Sequence, residues 1–453
     1  MTSPVSTGTP SAAEAPTVPG DDRTQPLDAA IVEVRARYIA ARPKSLALHQ
    51  AAGQHLPGGN TRSILYFDPF PFRVRRGWGA TLEDVDGHRY LDLLGEYTAG
   101  LFGHSNPAIK AAIVAALDDG LSFGAHNTHE ARLAELICGR FPSIDLVRFT
   151  NSGTEANLMA VALARVATGR EKLLVVDTGY HGGVLSFAHG PSPVNAPFPV
   201  VIGHFNDVER TRSLLHEHGH ELAAVLVEPM LGGGGCLPAT PEFLAMLREE
   251  TQRLGVLLVF DEVMTSRLST GGAQQLYDIT PDLTTLGKYL GGGLSFGAFG
   301  GRRDLMARFD PSTPDALGHA GTFNNNVLSM AAGVAGLTQV LTSDALAAVN
   351  GHGDDLREGL NDVFARVGSP FSATGIGSLL AIHATPATVR TPLDLAGTDE
   401  RAKEILFFDL LERGIYIARR GFIALSLEVT DADVARTIDA VREILRSRAC
   451  LRS

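Results

Sequence analysis

A mostly parallel α/β sheet covered by helices on both faces, joined to a smaller α+β domain, is the fold class this sequence predicts. Three observations lead there. Short apolar runs recur at 146–149, 173–176, 200–202, 223–227 and 256–260. Segments of helical periodicity lie between them, notably 155–168 and 241–254. Strands that are apolar along their whole length are buried on both faces, as in a parallel sheet sandwiched by helices. The third observation is size: 453 residues, 44% of them hydrophobic, exceed one simple core, so two or three domains are expected.

Along the chain, the first 26 residues are mostly Ser, Thr, Pro and Ala and hold few large apolar side chains. They cannot offset ordering entropy by burial, so a disordered tail is expected over 1–26. The tail lacks the apolar core of a signal peptide. With Arg23 as its only basic residue, it also lacks the Arg-rich character of a transit peptide. Helical periodicity starts near Leu27 and continues to about Gln54. Residues 57–100 read as a small β unit with turns at Pro57-Gly58-Gly59 and Asp86-Gly87. The alternating strands and helices of 105–345 form the large domain. The smaller domain takes 27–104 and 346–453, the latter with turns at Gly375-Ile376-Gly377 and Arg420-Gly421.

A net charge of −11 argues against nucleic acid or an anionic membrane as a main partner. Cys138, Cys236 and Cys450 are an odd, widely spaced set, so a reducing cytoplasm is expected rather than a disulfide framework. No apolar run approaches the ~18 residues that a membrane span needs.

The chemistry gathers at strand ends. Val259-Phe260-Asp261 puts an acid at the end of an apolar strand, and Thr285-Leu286-Gly287-Lys288 puts a lysine further on, before a glycine run. A lone lysine is usually a solvated charge, and a lone strand-end Asp is often a helix cap. As a pair they fit pyridoxal phosphate (PLP). The lysine holds the cofactor as a Schiff base, and the acid keeps the pyridine nitrogen protonated so that the ring accepts electrons. Asn151-Ser152-Gly153-Thr154-Glu155 follows a strand and opens a helix, where free amides and the positive dipole end receive a phosphate. An ordinary N-cap accounts for that stretch equally well.

Tyr180, in Tyr180-His181-Gly182-Gly183, could stack on a flat ring, although core packing is the commoner use of an aromatic there. Glu228 before Pro229 ends another strand, and its carboxylate needs a partner such as a cofactor hydroxyl or amide. The polar turn Gly321-Thr322-Phe323-Asn324-Asn325-Asn326 could offer Thr322 to a phosphate.

Together these segments resemble the class III aminotransferases of PLP fold type I, over roughly residues 30–445. The resembling stretches are FTNSGTEANLMA, GYHGGVL, VLVEPM, LLVFDEVMTSRL, DLTTLGKYLGGG and SFGAFGGR. The likeness is to the branch that holds glutamate-1-semialdehyde aminomutase and the β-phenylalanine (aromatic β-amino acid) aminotransferases. Asn60-Thr61-Arg62-Ser63, Pro69-Phe70-Pro71, Glu96 to Gly100, Gly321 to Asn326 and Arg420-Gly421-Phe422 lean to the β-amino acid enzymes. The aminomutases typically read GTLSGNP at the Gly321 turn. Arg419 stands where the resembled enzymes usually have a proline, which leaves open whether Arg419 or Arg420 faces the site.

The resemblance implies an aminotransferase that moves an amino group from a β-amino acid to a 2-oxo acid such as 2-oxoglutarate or pyruvate. It implies Lys288 and Asp261 as catalytic residues. Cofactor contacts are implied for Ser152, Gly153, Thr154, Tyr180, His181, Glu228, Asp261, Lys288 and Val263 or Met264. Thr322 is implied to arrive from the second subunit of a homodimer with shared active sites. Arg62 and Arg420 match the two carboxylate-binding positions, and Tyr66, Phe67, Phe70 and Tyr97 could form an apolar wall. No metal is called for.

Other readings compete. An aminomutase is the near alternative. Gly293-Leu294-Ser295-Phe296-Gly297 matches the nucleophile elbow of serine hydrolases, but a glycine run precedes it instead of a buried strand. A non-catalytic scaffold would not retain Lys288 and Asp261. His216-Glu217-His218-Gly219-His220 satisfies HExxH, yet Gly219 weakens the helix that a zinc site requires. The acid-tipped strand at Asp261-Glu262 resembles the magnesium strand of a P-loop ATPase, but no phosphate-loop lysine motif accompanies it.

Overall fold

Seven strands form the central sheet of the computed structural model, which describes residues 24–452 apart from His189. Their order across the sheet is Leu146–Thr150, Gly297–Gly301, Leu283–Gly287, Leu257–Asp261, Leu222–Val227, Lys172–Val176 and Val200–Gly203. All neighbours pair in parallel except Gly297–Gly301, which runs antiparallel to both of its partners. Alternate side chains feed the two faces. Leu173 and Val175 pack with Ala156, Ala160 and Leu163 of helix Gly153–Thr168. Leu174 and Val176 pack on the other face with Phe243, Leu244 and Leu247 of helix Pro241–Leu254. The sheet is therefore apolar on both sides, as its sequence requires.

The five strands read from apolar runs form within a residue or two of their expected ends. The two strands around the lysine were not legible. Gly297-Ala298-Phe299-Gly300-Gly301 is mostly glycine, which strands normally avoid. The structure explains the composition. A Cβ at Gly297 would strike the Ser152 carbonyl oxygen, one at Gly301 the Asp282 carbonyl, and one at Gly300 would lie 2.7 Å from the Leu146 carbonyl. The strand is squeezed between the phosphate-loop side of the sheet and the lysine strand, and only glycine permits that approach.

The expected single helix from Leu27 to Gln54 is two helices, Thr24–Ala41 and Pro43–Gly53. Pro43 drives the residue before it out of helical conformation, and Arg42 sits at φ −131° and ψ 53°. The tail expected over 1–26 lies almost wholly outside the described residues, and Thr24 already belongs to the first helix.

Both ends of the chain meet in the smaller sheets. Val74–Trp78, Thr81–Asp84 and Arg89–Asp92 are joined by Ile415–Tyr416, which pairs in parallel with Leu91 and Asp92. Ser372–Ile376, Leu379–His383 and Phe422–Ala424 form an antiparallel sheet beside them. The buried Asp409 carboxylate ties the first helix to the last, accepting from Arg37 Nη2 at 2.9 Å and from Arg448 Nε at 2.8 Å. Among the described residues no single helix is long and apolar enough to cross a membrane.

Gly297→Ala should lower the unfolding free energy by about 1–3 kcal/mol, because neither the strand nor the Ser152 carbonyl can yield freely. A urea titration of the purified protein reads the change, and an unaltered midpoint would contradict the close approach.

Candidate active site

Asp261 ends the central strand, 4% exposed, and its carboxylate accepts three hydrogen bonds from its neighbours. Oδ2 accepts from Asn157 Nδ2 at 2.8 Å and from His181 Nδ1 at 2.8 Å, while Oδ1 accepts from the Val263 amide at 3.0 Å. The strand-to-loop step here is packed against the helix start. A Cβ at Gly153 would lie 2.7 Å from Val263 Cγ2, so glycine is needed for the helix to reach this depth.

That helix runs Gly153–Thr168 with Ser152 as N-cap, its hydroxyl accepting from the Glu155 amide at 3.2 Å. Helix geometry leaves the first amides, those of Gly153 and Thr154, aimed outward from a positive dipole end. Thr154 Oγ1 accepts from the Gly183 amide at 3.3 Å, which brings the Tyr180 loop against the helix start. Tyr180 is 51% exposed, so its ring is no part of the core. Its amide donates to Glu228 Oε2 at 3.0 Å, and the Gly232 amide donates to Oε1 at 3.0 Å. Burial nevertheless holds the Glu228 carboxyl well above the usual carboxylate range. Met264 packs against Gly232 below it.

Lys288 follows its strand in left-handed conformation, φ 59°. Nζ donates to the Tyr97 carbonyl oxygen at 2.8 Å. That carbonyl comes from a turn in which Gly95, Glu96, Tyr97 and Thr98 all have positive φ, between 50° and 81°. Three non-glycine residues in that region store backbone strain, which the surroundings must hold in place. Asp92 does so: its Oδ1 accepts from the Leu94 amide at 2.9 Å and from the Gly95 amide at 3.2 Å. Part of the Lys288 side chain is open to the cleft, yet burial of the amine, aided by the Arg62 charge, pushes it down to about 8. The charges of Asp261, Arg420 and Glu228 also act on it, so the expected acid, lysine and arginines share one site.

The two arginines flank one ring. The Arg62 and Arg420 guanidinium carbons each lie 5.7 Å from the Tyr97 centroid. Arg420 Nη1 donates to the Gly233 carbonyl at 3.2 Å. Among the described residues neither arginine pairs with a carboxylate. Arg419, the rival for Arg420's place, also borders the cleft beside Tyr97 but pairs with Glu404 at 2.7 Å. A cleft of about 240 Å³ opens beside Tyr97, lined by Ser63, Tyr66, Phe67, Phe407 and Arg420 among others.

The aromatic wall is smaller than expected. Phe70 is 1% exposed and packs on Tyr38 in the core, away from the cleft. Phe67 reaches the cleft edge but is mostly buried between Tyr38 and Phe407. Tyr66 is exposed and donates to Asp68. Phe422, stacked on Tyr97 at 5.7 Å, backs the wall instead.

His181, expected to touch the cofactor, has its Nδ1 on Asp261 Oδ2 at 2.8 Å. Asn157 and Thr285 were missed altogether: Thr285 Oγ1 donates to Asn157 Oδ1 at 2.7 Å, behind Asp261. The available signal was a lone Asn in the otherwise apolar stretch after Glu155. Thr322 is exposed on a turn whose Asn324 accepts from Asn151 at 2.9 Å.

The competing motifs do not assemble. Ser295 sits in a loop before Gly297–Gly301, not between a strand and a helix. His216 pairs with Glu250 on a helix flank. Among the described residues no cluster of His, Cys, Asp and Glu could hold a metal.

An amine, a buried acid behind it, a helix start for phosphate and an open ring platform define a site for an aldehyde-bearing aromatic phosphate. The class-III aminotransferase family model matches residues 66–445, and the chain belongs to that family. It is similar to the β-phenylalanine transaminase of Variovorax paradoxus, 50% identical over 94% of this chain and 98% of that protein. The crystal structure of that aminotransferase superposes with a TM-score of 0.92 over 94% of this chain and 99% of the other. A glutamate-1-semialdehyde 2,1-aminomutase of Desulforudis audaxviator is 39% identical over 89% of this chain and 98% of its own. A transaminase structure with PLP bound is 34% identical, TM-score 0.83, over 89% and 97%.

The cofactor of the chain is therefore PLP, and the donor set fits it. The helix start at Ser152 to Thr154 leaves amides free for a phosphate, and Lys288 offers an amine in the same site as Asp261.

The neutral fraction of Lys288 should grow as pH rises through about 8. Attachment of PLP to the apo-protein should accelerate over the same interval, followed by absorbance. Arg62→Met removes a cation that depresses the amine and should move the midpoint upward. An unshifted midpoint would show that Arg62 does not act on Lys288.

Proposed function

We propose that this chain transfers the amino group of an aromatic β-amino acid to a 2-oxo acid, as a cytoplasmic homodimer with shared active sites. The observation that carries this reading is the pair of carboxylate-free guanidiniums, Arg62 and Arg420, each 5.7 Å from the ring of the lysine's partner Tyr97. In a β-amino acid the carboxylate lies one carbon farther from the amine than in an α-amino acid. One fixed arginine cannot serve both with the amine held in place, since a misplacement of about 1 Å costs ~10²-fold. Two arginines resolve the conflict. Arg62 holds the β-amino acid carboxylate, and Arg420 holds the α-carboxylate of the 2-oxo acid. The similarity to a β-phenylalanine transaminase supports the donor class, as does the aromatic cleft beside Tyr97. The aminomutase alternative rests on the more distant similarity.

Bound PLP supplies an electron sink for the charge left when the amine-bearing carbon of the substrate loses its proton. Lys288 Nζ is the base that removes this proton and, as the ammonium, gives it back. The Tyr97 carbonyl steadies the amine between the two events. Asp261 would hold a negative charge toward the ring nitrogen, Tyr180 would cover one ring face, and Val263 or Met264 would press on the other. The amides at Ser152, Gly153 and Thr154 would hold the phosphate. Glu228 offers a carboxyl near the ring substituents.

The chain divides into a large domain, 105–345, and a smaller one shared by 27–104 and 346–453. Leu121, Phe123 and Phe323 are each about half exposed around the Thr322 turn, an apolar border suited to a second subunit. Three free cysteines accord with a reducing compartment.

Stopped-flow half-reactions test the division of labour. Arg62→Ala should slow the β-amino acid half at least about tenfold more than the 2-oxo acid half, and Arg420→Ala the reverse. Equal losses, or an effect only from Arg419→Ala, would refute it. Mass measurement in solution should give a dimer, and Thr322→Ala should weaken PLP retention. A fully active monomer would remove the shared site.

A further inference from the structure

We propose that Asn157 and His181 are positioning residues that saturate Asp261 Oδ2 and so leave Oδ1 as the oxygen that meets the ring nitrogen of bound PLP. The inference rests on the reading of Asp261 given above and deepens it. Each carboxylate oxygen accepts about two hydrogen bonds. Oδ2 takes both of its donors from side chains, Asn157 Nδ2 and His181 Nδ1, each at 2.8 Å. Oδ1 takes one, from the Val263 amide at 3.0 Å. The one acceptor position left on this buried group is therefore on Oδ1.

The donors are themselves fixed. Thr285 Oγ1 donates to Asn157 Oδ1 at 2.7 Å, which forces the amide nitrogen toward Asp261 and settles an orientation otherwise free to flip. Asn157 Nδ2 also donates to the His181 carbonyl at 3.0 Å, so it spans both partners. His181 must carry its proton on Nδ1, because Asp261 only accepts. Its ring is fully buried, with Gly179 so close that a Cβ there would lie 3.3 Å from Nε2. The three residues come from three elements: helix Gly153–Thr168, the loop after Lys172–Val176, and Thr285 on the strand directly paired with Asp261.

Nothing in the packing calls for this polarity. Asn157 is 1% exposed in a helix face otherwise made by Ala156, Ala160, Val161 and Ala164. A buried amide there is unfavourable unless every polar atom is used. Donors fixed on Oδ2 hold the carboxylate in one orientation, and a carboxylate facing the ring nitrogen is what keeps that nitrogen protonated.

The test uses holoenzymes carrying PLP with an isotope-labelled ring nitrogen, read by NMR across pH, alongside the proton-transfer rate. Asn157→Leu and His181→Leu should each lower that rate about 10- to 100-fold, the scale of one hydrogen bond to a charged group. Both should move deprotonation of the ring nitrogen to lower pH, which a merely structural role would not do. His181→Asn places an amide nitrogen near Nδ1 and should restore both readouts. Thr285→Val, close to isosteric, should shift the nitrogen midpoint in the same direction and decides the matter if a leucine variant does not fold. Wild-type midpoints in these variants, beside a loss of ring protonation in Asp261→Asn, would overturn the positioning role alone. A wild-type midpoint in Asp261→Asn as well would overturn the reading of Asp261 itself.

Discussion

A carboxylate buried at the tip of the central strand is the constraint around which the site is built. Leaving Asp261 ionised at 4% exposure is unfavourable by several kcal/mol unless donors replace its water. The donors come from a helix, a loop and the backbone just beyond the strand. Satisfying one charge therefore fixes the relative places of three elements. The helix start at Ser152 and the Tyr180 loop are carried on two of those elements. Their positions are consequences of the same hydrogen bonds.

The substrate side is tied to this frame by a second buried charge. Arg267 is fully buried six residues past Asp261, and burial pushes its guanidinium down to about 10. Among the described residues it has no carboxylate partner. Nε donates to Ser378 Oγ at 3.1 Å and Nη2 to the Leu425 carbonyl, which adjoin strands Leu379–His383 and Phe422–Ala424. A guanidinium so placed cannot be released into water without losing those carbonyl and hydroxyl partners. It locks the wall behind Tyr97 to the strand that bears Asp261. The strained turn at Gly95–Thr98 completes the link, since its Tyr97 carbonyl holds the Lys288 amine.

The sequence revealed the parts whose physics is local. Apolar strands such as Leu222–Val227 announce themselves by composition, and the helix opened by Ser152 by its cap. Asp261, Lys288 and Arg420 were legible because strand ends and turn residues are chemically distinctive there. What was hidden depends on contacts distant in sequence. Gly297–Gly301 is a strand because its neighbours exclude side chains, not because glycine prefers strands. Phe70 looks like a cleft residue beside Phe67, but the first helix claims it for the core through Tyr38. His181 and Asn157 belong together only once residues 104 apart, Asn157 and Asp261, are folded face to face. The choice between Arg419 and Arg420 was open for the same reason: Glu404, which takes Arg419, lies on a helix that adjacency does not reveal.

The charge balance of the cleft leaves Arg62 and Arg420 free to take a carboxylate. An arginine already paired with a protein carboxylate must break that pair before it can bind another, as Arg419 would have to leave Glu404. Arg420 gives only a neutral carbonyl, that of Gly233, one of its donors, and Arg62 rests on the Tyr97 ring. Both contacts are worth less than a charge-assisted bidentate pair, so a carboxylate displaces them at a net gain. The acids nearby do not compete: Asp261 is held by its own three donors, and burial favours the protonated form of Glu228. The uncompensated positive charge also acts on Lys288, where Arg62 and Arg420 lower the amine toward the neutral form that chemistry needs. A bound carboxylate would cancel part of that effect. A carboxylate placed at either arginine would therefore be coupled through space to proton affinity at the lysine, with Tyr97 next to all three.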